Sequence, residues 1–237
     1  MKEKIKAIIF DCDGTLVDSE NAHYMAWKMA LSQRGHEITL EDHLSHVGTP
    51  ERLIAEFYTQ KLRLDDSEQL IEDKHHNYRE FIRQGIPPIE ATLEFVHLLA
   101  TQKQTLGLKL GVASGAPKAN ILAHLRHLGI EDYFELVLSG IDDLEEYHDP
   151  EGANKPKPYI YQKMAHLLGL APEQCVAIED SRPGLTAAVN AGYLTVAIPH
   201  AFSKHQDFSS ATIRIESLQG FSYEHFLEKI QVSLVKK

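Results

Sequence analysis

The chain has 237 residues, 43% of them hydrophobic and 24% charged, which is typical of globular proteins and excludes a disordered or fibrous chain. Its formal net charge of -10 argues against a general nucleic-acid binder, because affinity for the phosphate backbone needs a basic face. No apolar run approaches the roughly 20 residues that span a bilayer, and two cysteines cannot form a disulfide framework, so neither a membrane protein nor a disulfide-rich one is expected.

The first predicted element is a short strand. After Met1–Lys4 the chain passes directly into the branched apolar run Ile5–Phe10, which favours a buried strand. The run stops at Asp11-Cys12-Asp13-Gly14-Thr15, where acids and a glycine interrupt it. This opening does not have the composition of a secretory signal, so we expect a cytoplasmic protein.

The next segment is predicted to be helical throughout. Large apolar residues such as Trp27, Leu53 and Tyr58 recur at helical spacing, with glycines and acids between the groups. The pair Pro87-Pro88 excludes helix at that point and is typical of a boundary. We therefore expect residues 15–88 to form a helical insertion.

After the proline pair, apolar runs and amphipathic helices alternate. The four runs are Leu108–Ala113, Phe134–Leu138, Cys175–Ile178 and Leu194–Ile198. The four predicted helices are Ile89–Thr101, Ile121–Leu128, Tyr159–Leu168 and Pro183–Ala191. Such alternation predicts an α/β fold with a mostly parallel sheet, which the N-terminal strand must join. The expected core domain comprises residues 1–14 and 89–237.

Polar side chains follow several of these strands, at the edge where parallel sheets bind ligands. They are Asp11 and Asp13 after the first run, Ser114-Gly115 after the second, Ser139-Gly140 after the third and Glu179-Asp180-Ser181 after the fourth, with Lys155 and Lys157 before the helix at Tyr159. Any one of them could be an ordinary turn or cap residue. Their convergence on one edge of the sheet indicates a functional site.

The residue types at this edge favour phosphoryl transfer. Clustered carboxylates repel one another unless a cation joins them, and oxygen ligands suit Mg²⁺. Two acids at positions i and i+2, Asp11 and Asp13, can divide the work of nucleophile and proton donor. Attack by a carboxylate on an anionic phosphoryl group needs Mg²⁺ and a lysine to offset the repulsion. Ser114, neighbouring backbone N–H groups and Lys155 would hold the phosphoryl oxygens.

Four segments together resemble the motifs of the haloacid dehalogenase-like hydrolases. They are Asp11–Ser19 (DxDGTLxDS), Val112–Gly115 (a strand ending in Ser or Thr), Lys155–Tyr161 (KPxPxxY) and Val176–Gly184 (ending EDSxxG), in the family's order. The resemblance covers essentially the whole chain. It implies a Rossmann-like parallel sheet core with an inserted small α-helical cap domain.

The resemblance also implies a role for each matching residue. Asp11 is the nucleophile that forms an aspartyl phosphate, and Asp13 is the general acid and base. Ser114, Gly115 and Lys155 bind phosphate. The implied Mg²⁺ ligands are Asp11, the backbone carbonyl of Asp13, Asp180 and the nearby Glu179. Lys157 is a rival to Lys155, but the KPxPxxY pattern aligns from Lys155.

Three residues of the insertion are candidate substrate contacts. Asp18–Trp27 resembles the cap entry of the β-phosphoglucomutase and sugar-phosphatase branch, which assigns His23 to assist proton transfer. Lys74 resembles the cap lysine of that branch that reaches the substrate. Arg52 is the candidate for the arginine that binds a distal phosphate, but it is displaced from the expected offset, with Glu51 nearer to it. This departure weakens a mutase hypothesis.

The leading hypothesis is a Mg²⁺-dependent phosphatase acting on a small phosphomonoester, such as a sugar phosphate. The alternative is a β-phosphoglucomutase-type isomerase that uses the same intermediate. A dehalogenase of the same fold has no use for Asp13 as a second carboxylate. A signalling receiver is about half this length and keeps its phosphoaspartate, whereas Asp13 is placed to activate water. The expected partner is a small phosphorylated metabolite, with no nucleic acid or membrane partner, and the chain is expected to be a monomer or weak dimer.

Two further features have no catalytic assignment. The pairs His43 with His46, His75 with His76 and His124 with His127 could hold a transition metal by spacing, but we expect solvated helix faces there. The acidic stretch 142–154 is longer than the resemblance implies, and the sequence gives it no role.

Overall fold

The computed structural model describes residues 5–47 and 49–236, and they separate into two compact units. One unit contains the described residues up to Asp18 together with those from Pro88 onward, and the other contains Ser19–Pro87. Gly48, which precedes the Thr49–Arg52 segment, lies outside the described residues.

The first unit is built on a sheet of six parallel strands in the order β3-β2-β1-β4-β5-β6. The strands are β1 Ala7–Phe10, β2 Lys109–Ser114, β3 Leu136–Ser139, β4 Cys175–Glu179, β5 Leu194–Ala197 and β6 Ile213–Arg214. Every pairing between these strands is parallel. The α/β prediction is therefore confirmed, and the first strand of the chain lies inside the sheet, between β2 and β4.

The described residues of the second unit form four helices, in agreement with the helical periodicity of this segment. They are α1 Glu20–Ser32, α2 Leu40–Leu44, α3 Glu51–Leu62 and α4 Ser67–Gln84. Asp66 caps α4 by accepting hydrogen bonds from the backbone N–H groups of Glu68 and Gln69. Thr39 and Asp42 form a capping box at the start of α2. Side-chain caps thus fix where two of the helices begin.

A small apolar core holds these helices together. Trp27 and Leu31 of α1 pack with Ile54 and Tyr58 of α3 and Leu70 of α4, and all five are buried. Apolar residues at helical spacing lie on one face of each helix, so each helix can bury that face against the others. Trp27 and Tyr58 therefore have a packing role.

Helices cover the sheet of the first unit. They are α5 Glu90–Leu106, α6 Lys118–His127, α7 Tyr159–Leu168, α8 Arg182–Asn190 and α9 Tyr223–Lys236. Ala7 and Ile9 of β1 belong to the same buried cluster as residues of α7 and α8, so these two helices cover one face. Phe95 of α5 contacts Phe226 of α9, with ring centroids 5.1 Å apart. Among the helices described, none has the length and hydropathy required to cross a bilayer.

Among the strands and α-helices described, β6 and α9 are absent from the sequence prediction. β6 has only two residues, which is too short to show any periodicity. Helix α9 does carry a signal, because Phe226 and Ile230 are buried and lie four positions apart. The helical spacing of this C-terminal segment could have revealed α9, whereas nothing local could have revealed β6.

The prediction that the histidine pairs lie on solvated helix faces is wrong for two of the residues. His43 and His124 are buried. The ring of His43 lies 5.5 Å from that of Tyr24, and its Nε2 is 3.4 Å from Glu20 Oε2. His124 lies on the buried face of α6 with Ile121. Each of these helices turns its histidine inward, which spacing alone did not distinguish from an exposed position.

Candidate active site

The site lies where β1 and its two neighbours end. Phe10, the last residue of β1, is in register with Val112 of β2 and Ile178 of β4. The residues that follow these three positions therefore lie side by side, and the backbone N–H of Asp11 donates to the carbonyl of Ile178 at 3.0 Å. The register of the sheet places the strand-end acids and the hydroxyl together.

Lys155 joins the ends of these three strands. Its Nζ lies 2.6 Å from Asp11 Oδ1, 2.7 Å from Glu179 Oε1 and 2.8 Å from the carbonyl oxygen of Ala113. These three acceptors match the three protons of an ammonium group, and the side chain is only 9% exposed. The buried cation is thus fully hydrogen-bonded.

Lys157, the rival to Lys155, has different surroundings. It pairs with Glu151 at 2.7 Å and Asp149 at 3.2 Å, and its side chain is 30% exposed. Since both partners belong to the acidic stretch, Lys157 ties that stretch to the segment before α7. The structure brings Lys155, and not Lys157, to Asp11.

The charges of the site are unbalanced. Burial raises the pKa of Asp11 well above its usual range, with Lys155 opposing that rise and Glu179 and Asp180 adding to it. Burial likewise raises the pKa of Glu179, again against the influence of Lys155. Burial alone would lower the pKa of Lys155, but the carboxylates of Asp11 and Glu179 raise it. Lys155 therefore offsets the charge of Asp11 and Glu179, while Asp180 adds a third acid to the cluster.

The donor set fits a hard divalent cation. Asp11, Glu179 and Asp180 each offer a carboxylate oxygen, and these oxygens lie within 4.8 Å of one another. Glu179 Oε2 is buried and has no hydrogen-bond partner among the described residues. Carboxylate oxygens are the ligands that Mg²⁺ takes in proteins, and a divalent charge would balance the surplus of acids. The acidic cluster is therefore suited to a metal ion.

Asp13 lies in a turn that leads out of β1. The intervening Cys12 is fully buried. Ser114 Oγ lies 3.5 Å from Asp13 Oδ2, and the backbone N–H of Ala116 donates to Ser114 Oγ at 3.1 Å. Asp11, Asp13 and Ser114 are thus close neighbours at the strand ends.

Two glycines allow close packing beside the carboxylates. Gly14 has φ +77°, and a Cβ atom there would lie 2.7 Å from Asp180 Cγ and 2.8 Å from His200 Nε2. A Cβ atom on Gly184, in the first turn of α8, would overlap the carboxylate of Glu179. Gly184 therefore lets α8 approach the site closely.

Asn154 is a site residue that the sequence analysis missed. Its Nδ2 donates to the carbonyl oxygen of Gly115 at 2.9 Å, and its Oδ1 accepts from the backbone N–H of Lys155 at 2.8 Å. The same amide packs so closely on Gly140 that a Cβ atom there would overlap it. Asn154 therefore links the ends of β2 and β3 to the lysine. Its position directly before Lys155 was the only available signal.

The acidic stretch 142–154 folds back onto the first unit. Asp143 Oδ2 accepts from Lys118 Nζ at 2.7 Å, and the ring of Tyr147 stacks on that of Tyr159 with centroids 4.7 Å apart. Asp149 Oδ2 accepts from the Tyr159 hydroxyl at 3.0 Å. The acids of this stretch thus fasten a long connection in front of α7, which gives a structural account of its composition.

Two further side chains touch the acidic cluster. The hydroxyl of Tyr161 donates a short hydrogen bond to Glu179 Oε1, and Tyr161 is the last residue of the KPxPxxY pattern. His200 Nε2 lies 2.9 Å from Asp180 Oδ2. The motif could have identified Tyr161 as a site residue, whereas His200 belongs to no motif.

In the helical unit, Lys74 is buried in a cluster with Glu51. Its Nζ lies 2.6 Å from Glu51 Oε1 and over the rings of Trp27 and Tyr78, at 5.7 and 5.1 Å from their centroids. Burial alone would raise the pKa of Glu51, but the hydrogen bond from His75 and the charge of Lys74 lower it to about 2. The charge of Lys74 is therefore matched within the unit.

The other two cap candidates have different surroundings. The ring of His23 stacks on that of Tyr78, with centroids 4.1 Å apart. Arg52 is 75% exposed and pairs with Glu56 one turn further along α3, at 2.6 Å. Tyr78 thus brings His23 next to the Lys74 cluster, while Arg52 lies on the outer surface of its helix.

Comparison with known proteins gives concordant matches. The family model described as haloacid dehalogenase-like hydrolase matches residues 5–192. A phosphorylated carbohydrates phosphatase of Thermotoga maritima is 30% identical over 193 residues, 79% of this chain and 82% of that protein. A β-phosphoglucomutase of Bacillus subtilis is 29% identical over 202 residues, 82% of this chain and 83% of that protein.

A solved structure agrees with the sequence matches. The crystal structure of β-phosphoglucomutase from Clostridium difficile has a TM-score of 0.74 at 26% identity, and the alignment covers 98% of this chain and 99% of that chain. The region matched by the family model contains Asp11, Ser114, Lys155 and Asp180, whereas His200 lies beyond it.

Proposed function

Because the chain belongs to the haloacid dehalogenase-like hydrolases, we propose that it is a Mg²⁺-dependent phosphatase that hydrolyses a small sugar phosphate through an aspartyl phosphate on Asp11. The observation that carries this proposal is the meeting of Asp11, Asp13, Lys155 and Asp180 at the ends of adjacent parallel strands, with Lys155 Nζ 2.6 Å from the Asp11 carboxylate. A nucleophile, a second acid and a cation are the groups that phosphoryl transfer requires.

In the first half of the reaction, a carboxylate oxygen of Asp11 attacks the phosphorus of the substrate. The bond from phosphorus to the sugar oxygen breaks, and Asp13 gives its proton to that oxygen, so the neutral sugar leaves. Lys155, the Ser114 hydroxyl and backbone N–H groups near Gly115 hold the other phosphoryl oxygens.

In the second half, Asp13 accepts a proton from a water molecule, whose oxygen attacks the phosphorus. The bond from phosphorus to Asp11 breaks, which releases inorganic phosphate and restores the Asp11 carboxylate and the protonated Asp13. Asp11, Asp180, the backbone carbonyl of Asp13 and the nearby Glu179 would hold Mg²⁺, which would supply positive charge to offset the repulsion between carboxylate and phosphoryl oxygens.

Two observations support a sugar monophosphate as the substrate class. The Thermotoga relative is a phosphatase of phosphorylated carbohydrates by name. The ion pair between Lys74 and Glu51 leaves this buried lysine charge-matched, and Arg52 points to the outer surface of α3. A cap with this charge pattern is poorly suited to grip a second phosphate, so it favours hydrolysis over a mutase reaction.

The direct test is phosphate release from a panel of sugar phosphates, phosphoglycolate and nucleotides, with Mg²⁺ and with a chelator. We expect turnover of at least one sugar phosphate with Mg²⁺, and loss of turnover in the chelator. Asp11→Asn should lower kcat by about 10³-fold or more, because it removes the nucleophile. The exposed Asp132→Asn is the charge-matched control and should keep wild-type turnover. Normal turnover by Asp11→Asn would contradict the mechanism.

The mutase alternative is tested with β-glucose 1-phosphate and a bisphosphate primer. The proposal predicts that free phosphate forms faster than glucose 6-phosphate. The opposite ratio would assign the chain to the isomerase reaction, while leaving the aspartyl phosphate in place.

A further inference from the structure

His200 lies outside all four motifs, yet it contacts one of the proposed cation ligands. It follows β5, and its Nε2 is 2.9 Å from Asp180 Oδ2. Both side chains are largely buried, at 19% and 6% exposure. The mechanism above gives this contact no role.

The hydrogen bonds of the ring assign its tautomer. The backbone N–H of Phe202 donates to His200 Nδ1 at 3.2 Å, so this nitrogen carries a lone pair and no proton. The proton of the ring is then on Nε2, from which it is donated to Asp180. The His200 ring therefore acts as a hydrogen-bond donor to the carboxylate.

The backbone around His200 fixes the direction of this donor. The N–H of His200 donates to Ser203 Oγ at 3.1 Å, and its carbonyl accepts from the N–H groups of Ser203 and Lys204 at 3.1 and 2.9 Å. Gly14 packs against the contact and leaves no room for a Cβ atom. The imidazole is thus held in a tight turn and cannot easily swing away from Asp180.

The Asp180 carboxylate has a second described contact, on its other oxygen. Thr15 Oγ1 lies 3.5 Å from Asp180 Oδ1, which is long for a hydrogen bond. The 2.9 Å contact with His200 is the closer of the two.

We propose that His200 is a positioning residue, which orients the Asp180 carboxylate toward the divalent cation. This inference rests on the proposed metal site of the phosphatase. Hydrogen bonds to a ligating carboxylate fix its orientation, and losing such a bond typically costs about 10- to 100-fold in metal affinity. His200 would act through Asp180 and need not touch the substrate.

The test is a titration of the whole chain with Mn²⁺ in the absence of substrate. Binding is measured from the electron paramagnetic resonance signal of the free ion. His200→Gln can place its amide N–H near the position of Nε2, whereas the shorter His200→Asn cannot reach Asp180. We expect His200→Asn and His200→Ala to raise the Kd for Mn²⁺ by about 10- to 100-fold, and His200→Gln to stay close to wild type. The exposed His205→Ala, in the same segment, is the matched control.

The outcomes separate the inference from the proposed function. Equal Mn²⁺ affinity in wild type and His200→Asn, or equal losses in His200→Asn and His200→Gln, would overturn the positioning role. Absence of Mn²⁺ binding by wild type would overturn both this role and the metal-dependent phosphatase. In the activity assay, a positioning role predicts that saturating Mg²⁺ restores kcat in His200→Asn while the Mg²⁺ concentration for half-maximal rate rises. A kcat that stays low at saturating Mg²⁺ would contradict it.

Discussion

Lys155 and Lys157 are two residues apart, but their different environments give the same type of side chain different roles. Lys155 is buried and satisfied by two carboxylates and a carbonyl, so its charge is held where the phosphoryl group would arrive. A buried ammonium is tolerated only when such partners offset its desolvation. Lys157 forms a partly exposed pair with Asp149 and Glu151, and contacts of this kind add little stability.

In the helical unit the buried Lys74 pairs with the part-exposed Glu51, and this pair makes the unit sensitive to acid. The pKa of folded Glu51 is lowered from 4.5 to about 2. A lowered carboxyl pKa contributes stability that is present above the unfolded value and is lost as the pH falls toward the folded value. The contribution of Glu51 should therefore be constant near neutral pH and disappear between about pH 4.5 and 2.

Glu51→Gln tests this contribution. At pH 7 we expect it to lower the free energy of unfolding by about 1–2 kcal/mol, allowing for solvent screening of this part-exposed group. The difference from wild type should begin to shrink below pH 4.5, measured by denaturant unfolding at a series of pH values. Glu56→Gln, which breaks only the exposed pair with Arg52, is the control and should change stability by less than about 0.5 kcal/mol. A pH-independent difference for Glu51→Gln would contradict the assignment.

At the scale of elements, the site depends on how closely α8 approaches the end of β4. The position of Gly184 leaves no room for a Cβ atom beside the Glu179 carboxylate, which itself holds Lys155. The helix starts at the Ser181 cap, whose side chain accepts from the backbone N–H of Gly184 at 3.3 Å. A short cap and a glycine thus bring the N-terminus of the helix against the acidic cluster.

Gly184→Ala measures this approach. Alanine in a helix is ordinarily more favourable than glycine by about 1 kcal/mol, so a gain in stability is the result expected without the contact. Because the added methyl group would collide with Glu179, we expect a loss of about 1–3 kcal/mol in denaturant unfolding, with reduced turnover. Asn190→Ala, at the exposed end of the same helix, should change stability by no more than about 0.5 kcal/mol. A stabilised Gly184→Ala variant would show that the helix can move away freely.

The elements that the sequence predicts well are those with a buried apolar run. β1 and β4 lie inside the sheet, so nearly every residue in them is apolar and the runs stand out in the sequence. β6 is two residues long at the sheet edge, and no periodicity can reveal it. The acidic stretch 142–154 resisted interpretation because its partners, such as Lys118 and Tyr159, are set by tertiary folding and not by spacing.

For the whole molecule, the main physical problem is charge. The chain carries 34 acids against 24 lysines and arginines, so its overall field repels a phosphorylated substrate. Within the site, three carboxylates lie close together, and Lys155 contacts two of them. Local cations must therefore offset the repulsion of the substrate by the site carboxylates and by the net negative charge of the chain. Phosphoryl transfer is for this reason expected to depend on metal binding.

The sequence was sufficient for those site residues that lie in motifs, and insufficient for those that reach the site only through folding. Asp11, Ser114 and Asp180 follow apolar runs, so the parallel sheet alone predicts that they meet. His200 comes after β5, with no acid or glycine pattern to mark it, and only the turn at Phe202 directs its ring toward Asp180. The cytoplasmic location and the monomer or weak dimer stay predictions.

The central claim is that Asp11 takes the phosphoryl group, and trapping the phosphorylated protein tests it most directly. The protein is mixed with Mg²⁺ and a sugar phosphate that it hydrolyses, and the reaction is quenched with acid within milliseconds. Peptide mass spectrometry should then find one phosphoryl group on Asp11. Asp13→Ala lacks the proton donor of the first half-reaction and the base of the second, so the adduct should form more slowly in it and also decay more slowly than in wild type. No adduct should form in Asp11→Asn. Phosphate release at the wild-type rate with no adduct at position 11 in any of these samples would contradict the account.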